Sequence, residues 1–254
     1  ERHCLRGGFP GHCAVHRYLE CSVVAMVDRT YLLRRWFDIA VTFVLAFVLI
    51  ELLDLKFLIA SQLYQLEGLQ WSLRHHFITE DILHRGVRFA NLLVILLLLV
   101  ITLIKSFPSF RGDNHRRYIL LLLSVLLSFG LINYLKAIFG MDCPWDLRLY
   151  GGSRPYIELW EFNDTHFSSG RCFPAGHSSI GFAWSALYFF WIKNRPNLAR
   201  VALALSLALG VTLGFAQQLR GAHFFLDDLT TAFICWTISV FIFYVGERDE
   251  KTNL

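Results

Sequence analysis

Residues 201–246 read VALALSLALGVTLGFAQQLRGAHFFLDDLTTAFICWTISVFIFYVG. Two runs without Asp, Glu, Lys or Arg, Val201–Leu219 and Leu229–Gly246, flank a short polar stretch that holds Arg220, His223, Asp227 and Asp228. A run of about 18 apolar residues crosses the hydrocarbon of a bilayer unaided, and a charge at its centre is costly. The stretch therefore predicts two spanning helices whose polar residues gather at one membrane face.

Three more runs of this kind lie upstream: Phe89–Ile104, Tyr118–Leu135 and Cys172–Ile192. A sixth, Trp36 to about Leu53, has Asp38 near its start and Glu51 and Asp54 at its end, yet is uncharged from Ile39 to Ile50. We read it as a spanning helix rather than a re-entrant or surface helix. The composition agrees: of 254 residues, 55% are apolar and 17% charged, with 23 Phe and 7 Trp, and the mean hydropathy is +0.46. Such a chain is too apolar for an ordinary water-soluble enzyme and too rich in rings for disorder, collagen or coiled coil. The expected fold is all-α: a polytopic membrane protein with one six-helix bundle over residues 34–246. Residues 1–33 are expected to be a cytoplasmic tail or added sequence, and 247–254 a second cytoplasmic tail.

Lys and Arg in short loops stay on the cytoplasmic side. Arg34 and Arg35 precede the first run, Lys105, Arg111, Arg116 and Arg117 fill the second connection, and Lys193, Arg195 and Arg200 fill the fourth. With six alternating spans these clusters share one side, together with Arg248 and Lys251 of the tail. Segments 61–88, 141–176 and 220–228 then face outward.

The polar residues near the helix ends converge on that outer side. Lys136 ends the third run, Arg171 to His177 opens the fourth, and Arg220, His223, Asp227 and Asp228 join the fifth and sixth. The set suits phosphoryl transfer through a histidine. His223 and Asp227 stand at i, i+4, so the carboxylate can hold one ring nitrogen and make the other nucleophilic. His177 follows the Pro174-Ala175-Gly176 turn, where a helix start favours a phosphate, and could protonate the leaving oxygen. Lys136, Arg171 and Arg220 would offset the charge on the equatorial oxygens.

These segments resemble the type-2 phosphatidic acid phosphatase superfamily, in its integral-membrane bacterial branch. The family pattern Lys-x6-Arg-Pro is met by Lys136 and Pro144, Pro-Ser-Gly-His by Pro174, Gly176 and His177, and Ser-Arg-x5-His-x3-Asp by His223 and Asp227. The resemblance covers roughly residues 34 to 246. It implies a metal-free, cofactor-free phosphohistidine mechanism with His223 as nucleophile, His177 as general acid, and Ala175 and Gly176 in the phosphate-binding turn. Three positions depart from the pattern: Cys143 and Gln217 stand where arginines are expected, and Ala175 where a serine is. Arg220, Arg148, Arg154 or Arg171 could supply the missing guanidinium groups, and Asp228 could replace Asp227. The Cys-Pro-Trp-Asp and Pro-Ala-Gly-His segments are similar to those of the bacterial lipid A phosphotransferase and related inner-membrane phosphatases.

The resemblance implies a lipid phosphatase of the bacterial inner membrane with its site facing the periplasm. Lipid A, undecaprenyl diphosphate and phosphatidylglycerol phosphate are the candidate substrates. The alternatives are a phosphotransferase from undecaprenyl diphosphate to lipid A, and a non-catalytic lipid-phosphate binder or transporter. No nucleic-acid partner is expected, and the oligomeric state is not written in the sequence. Cys143 and Cys172, the only cysteines of the outer loops, are expected either to form a disulfide in an oxidising compartment or to remain two thiols. Cys4, Cys13, Cys21 and Cys235 are expected to be reduced. His76, Glu80 and His84 recur every four residues, the spacing of a metal-binding face or of an interfacial polar stripe. Arg74, Arg85 and Arg88 could grip a second phosphate or anchor the interface, and Trp71, Trp145 and Trp160 are expected in an interfacial belt.

Overall fold

The computed structural model describes residues 29–110, 112, 114–158 and 170–246. The expectations placed on Cys4, Cys13, Cys21, Arg111, Trp160, Arg248 and Lys251 fall outside them. The described residues are helical, with no β-strand among them.

Helix α1 runs Arg29–Leu52 and α2 Leu55–Leu66. Asp54 between them is left-handed at φ 49°, which breaks the rod where Glu51 and Asp54 would otherwise continue it. After a 3-10 turn at Ser72–His75 comes a π-helical segment, Ile78–Gly86, closed by the Val87 N–H on the Ile82 carbonyl five residues back. It continues into α3, Val87–Ser106. Helix α4 is His115–Phe139, ended by left-handed Gly140. The fourth apolar run is interrupted: α5 (Ser179–Phe182), a 3-10 turn (Ala183–Ser185) and α6 (Ala186–Trp191) form 13 helical residues. At about 1.5 Å per residue these reach about 20 Å, short of a ~30 Å hydrocarbon core. Helices α7 (Pro196–Leu219) and α8 (Phe225–Gly246) complete the fold.

Four helical stretches are long and apolar enough to cross a membrane: Ile78–Ser106, His115–Asp146, Pro196–Leu219 and Phe225–Gly246. Helix α8 is central, packed against α1, α4 and the α5–α6 segment. Its inward stripe is small: Thr231, Cys235 and Ser239 are fully buried at i, i+4, i+8, as are Ser124 and Ser128 on α4. Small residues let apolar helices approach closely where no hydrophobic force drives them together. Each hydroxyl donates to the carbonyl four residues back, Thr231 to Asp227, Ser239 to Cys235, Ser124 to Leu120 and Ser128 to Ser124, so none is left unpaired in the core. Gly181 of α5 lies so close to Gly210 of α7 that a Cβ would overlap its backbone. This contact fixes where the interrupted segment crosses α7 and sets the position of His177 just before it.

Candidate active site

The polar ends of α4, α7 and α8 meet the start of the fourth segment. Between α7 and α8 the chain turns at Gly221, φ 68°, and the Ala222 N–H returns to the Gln217 carbonyl. Asp227 Oδ2 accepts the Phe224 N–H at 2.9 Å, which caps the opening turn of α8. The same oxygen stands 3.4 Å from His223 Nδ1. Nδ1 makes no hydrogen bond among the described residues, so the pair is within ionic reach but not closed. Catalytic contacts of this type commonly tighten only when substrate is bound. His223 is 5% exposed. Burial, reinforced by the Lys136 and Arg220 charges and opposed by the Cys172 backbone, holds its imidazole well below the ordinary histidine range.

Lys136 lies in the last turn of α4. Its Nζ sits 3.1 Å from where a Cβ on Gly176 would be, so the bare glycine makes room for the ammonium. His177, the next residue, is within electrostatic reach of both Lys136 and His223. The Ala175 N–H donates to the Asp227 carbonyl at 3.3 Å, and the Ala175 carbonyl accepts from Thr231 Oγ1 at 2.8 Å. Ala175 therefore pins the turn to α8, and its amide is taken up there rather than facing an anion. Cys143 and Cys172 are disulfide-bonded, with Cα atoms 5.2 Å apart, and the Cys172 N–H donates to the Met141 carbonyl. The end of α4 and the start of the fourth segment are thus tied together.

The arginines separate into distinct roles. Arg220 is buried, and its guanidinium is fully engaged: Nε donates to the Arg74 carbonyl at 2.9 Å, Nη1 to Gln217 Oε1 at 2.9 Å, and Nη2 pairs with Glu80 at 3.2 Å. Gln217, at the position of a family arginine, serves as its acceptor. Arg154 pairs with Asp142, and Arg148 Nε donates to the Ser153 carbonyl, both within the 142–154 loop. Arg171 is exposed, next to Cys172. Asp228 accepts from Gln218 Nε2 at 2.7 Å and is turned toward α7, whereas Asp227 faces His223.

A cleft of about 790 Å³ opens from this site between α3, α4 and the 176–180 turn. Its outer end carries Lys136, His177, His84 and Arg85, with Arg88 one turn inward of His84. Its inner wall is apolar, with Leu92, Ile95, Leu126 and Phe129. The volume is typical of a small-molecule site, and the polarity runs from charged to apolar along the helix axes. Such a gradient fits a phosphate with a greasy body.

The sequence profile of the PAP2 superfamily matches residues 117–251. The chain belongs to the PAP2 superfamily. Its members are phosphatases, and Lys136, His177, His223 and Asp227 all lie within the PAP2 match. No curated protein and no solved structure matches the chain significantly.

Several residues that contact this candidate site come from outside the matched stretch. His76, Glu80 and His84 do not form a cluster: His76 Nδ1 accepts the Ile78 N–H, Glu80 holds Arg220, and His84 stacks on His177. The π-helical widening, not readable from spacing, separates them. Trp71 packs with Tyr64 and Tyr150, at centroid distances of 5.1 and 5.7 Å, and against the Gly221 turn. Trp145 carries the Arg74 guanidinium at 4.0 Å from its ring. Lys56, expected in no site, is buried between Glu51 at 2.6 Å and Glu158 at 3.2 Å. It lines a small cavity with Asp227.

Proposed function

We propose that the protein is a membrane-embedded lipid phosphatase working through a phosphohistidine. The observation that carries this reading is the buried His223–Asp227 pair near the charged end of a cleft whose far wall is apolar. His223 Nε2 attacks the phosphorus, the P–O bond to the lipid breaks, and its electron pair leaves on that oxygen, which takes a proton from His177. Asp227 holds the Nδ1 proton and the positive charge that the ring acquires. Lys136 faces the charge that spreads over the equatorial oxygens. Water then attacks the phosphohistidine and gives its proton to His177. The P–N bond breaks, phosphate is released, and both histidines return to their starting states.

In this reading the interrupted fourth segment, lengthened by the largely buried turn at residues 172–178, and α1 complete a six-span bundle in a bacterial inner membrane. The Lys and Arg clusters of residues 34–35, 105–117 and 193–200 favour the cytoplasmic side for both termini. The site then lies on the periplasmic side, where the Cys143–Cys172 bridge is stable. Phosphate release from lipid A, undecaprenyl diphosphate and phosphatidylglycerol phosphate in detergent, for wild type and His223→Ala in parallel, tests the proposal. Release from one lipid that is lost in a folded His223→Ala protein is the expected result. Equal release by the variant removes the histidine mechanism, and no turnover of any of the three overturns the enzymatic reading.

A further inference from the structure

The cleft carries positive charge at two levels, and the reaction uses only one. Lys136 and His177 form the upper level. Below it on α3 lie Arg88 and Asn91, three residues apart and hence on one face, and Asn133 on α4 lies one turn inward from Lys136. Three residues of helix rise about 4.5 Å, so this second level sits beside the first without coinciding with it. The apolar wall of Leu92, Phe129, Ile95 and Leu126 begins beneath it.

Three other cations near the site are committed, and a fourth, Arg171, is exposed beside Cys172 and does not line the cleft. Arg74 lies on Trp145, Arg85 pairs with Glu80 and Asp81, and Arg220 is held by Glu80. Arg88 lines the cleft and makes no ion pair with any described residue. Asn91 is oriented by chemistry. Trp184 Nε1–H can only donate, and it donates to Asn91 Oδ1 at 2.9 Å, so the Asn91 amide N–H2 is the half left for the cleft. No aspartate or glutamate is among the residues that line the cleft. A donor-rich level without a carboxylate, set between a phosphoryl site and an apolar wall, matches a second anion on the same amphiphile.

We infer that Arg88 and Asn91, with Asn133 opposite, bind the inner phosphate of a lipid diphosphate, making Arg88 the residue that selects diphosphate over monophosphate substrates. The inference rests on the phosphatase reading of His223. When His223 attacks the outer phosphorus, the bridging P–O bond breaks and its electron pair stays on the inner phosphate. Negative charge builds on that group in the transition state, ahead of the proton that His177 delivers to the bridging oxygen. Arg88 faces the charge as it develops, so its contact strengthens in the transition state.

The test compares farnesyl diphosphate with farnesyl monophosphate in detergent micelles, using the full chain as wild type, Arg88→Gln and Arg88→Lys, each eluting as a single folded species. The readout is the ratio of kcat/KM for the diphosphate to that for the monophosphate. Wild type is expected to favour the diphosphate, Arg88→Gln to lower the ratio about 10- to 100-fold, the range of a charge-assisted hydrogen bond, and Arg88→Lys to recover part of it. An unchanged ratio in Arg88→Gln, or a wild-type ratio at or below one, overturns the inference while leaving the phosphatase reading intact. Turnover of neither farnesyl compound by a wild type that releases phosphate from one of the three lipids above overturns the inference alone, and turnover of none of the five overturns both.

Discussion

The His84 imidazole lies parallel to that of His177, with ring centroids 3.8 Å apart and planes 19° from each other, and the His84 carbonyl stands 3.3 Å from His177 Nε2. One residue therefore grips the proposed general acid twice, by its face and by one ring nitrogen. The carbonyl favours a proton on Nε2 and leaves Nδ1 as the other exchangeable position. An aromatic contact of this kind contributes about 0.5–1.5 kcal/mol, so replacing His84 by Leu should lower kcat about 2- to 10-fold with little change in KM. His84→Phe, which keeps a flat ring, should retain most of the rate. Steady-state kinetics on a lipid monophosphate check this, and equal rates for the Leu and Phe variants would rule out a positioning role for the ring.

The pH dependence follows from the burial of His223. In the proposed mechanism its neutral form is the nucleophile, and its folded-state pKa lies well below 6.5. The acid limb of the kcat/KM profile should therefore fall below the ordinary histidine range, with activity sustained from neutrality through about pH 6. The same shift acts on stability. The unfolded histidine takes up a proton near pH 6.5 that the folded one refuses, so its contribution is intact above that value and is lost as the pH falls. Rate profiles and thermal midpoints of wild type and His223→Gln, measured together, test both statements. An acid limb centred at or above 6.5 would contradict them.

Arg220 is held as a strut by Arg74, Gln217 and Glu80. All three nitrogens of its guanidinium are bonded, and Glu80 is the only carboxylate among the described residues that forms an ion pair with it. Removing that carboxylate leaves a buried cation short of a partner, and Glu80→Gln should destabilise the protein by about 1–3 kcal/mol. The loss should be non-additive with Arg220→Gln, because the two single changes break the same contact. A double-mutant cycle on the apparent thermal midpoint in detergent measures the coupling, and simple additivity would show that the pair carries no weight.

The apolar runs were legible because lipid demands uninterrupted non-polar stretches, and α3, α4, α7 and α8 coincide with four of them. The run Cys172–Ile192 looked equally continuous, yet it is broken by the 174–178 turn and a 3-10 turn. Those breaks are made by the Gly181–Gly210 approach and the Ala175–Thr231 bond, which a one-dimensional pattern does not carry. At the site, the His223–Asp227 spacing and the Lys136 and His177 positions were visible as local signals. The His84 stack, the Glu80 strut and the Asn91 amide were not, since each depends on a partner some 90 to 140 positions distant and on the π-helical widening at Ile78–Gly86.

That widened segment lies outside the residues 117–251 matched by the family profile, yet it supplies Glu80 and His84 and leads directly into Arg88. On the proposed reading, the reaction and the choice of what reacts are written in separate stretches of chain. On that reading a lineage could exchange one lipid for another by altering the dozen residues from Glu80 to Asn91 while His223 and Asp227 stayed in place, and an engineer could graft that short stretch to redirect the enzyme.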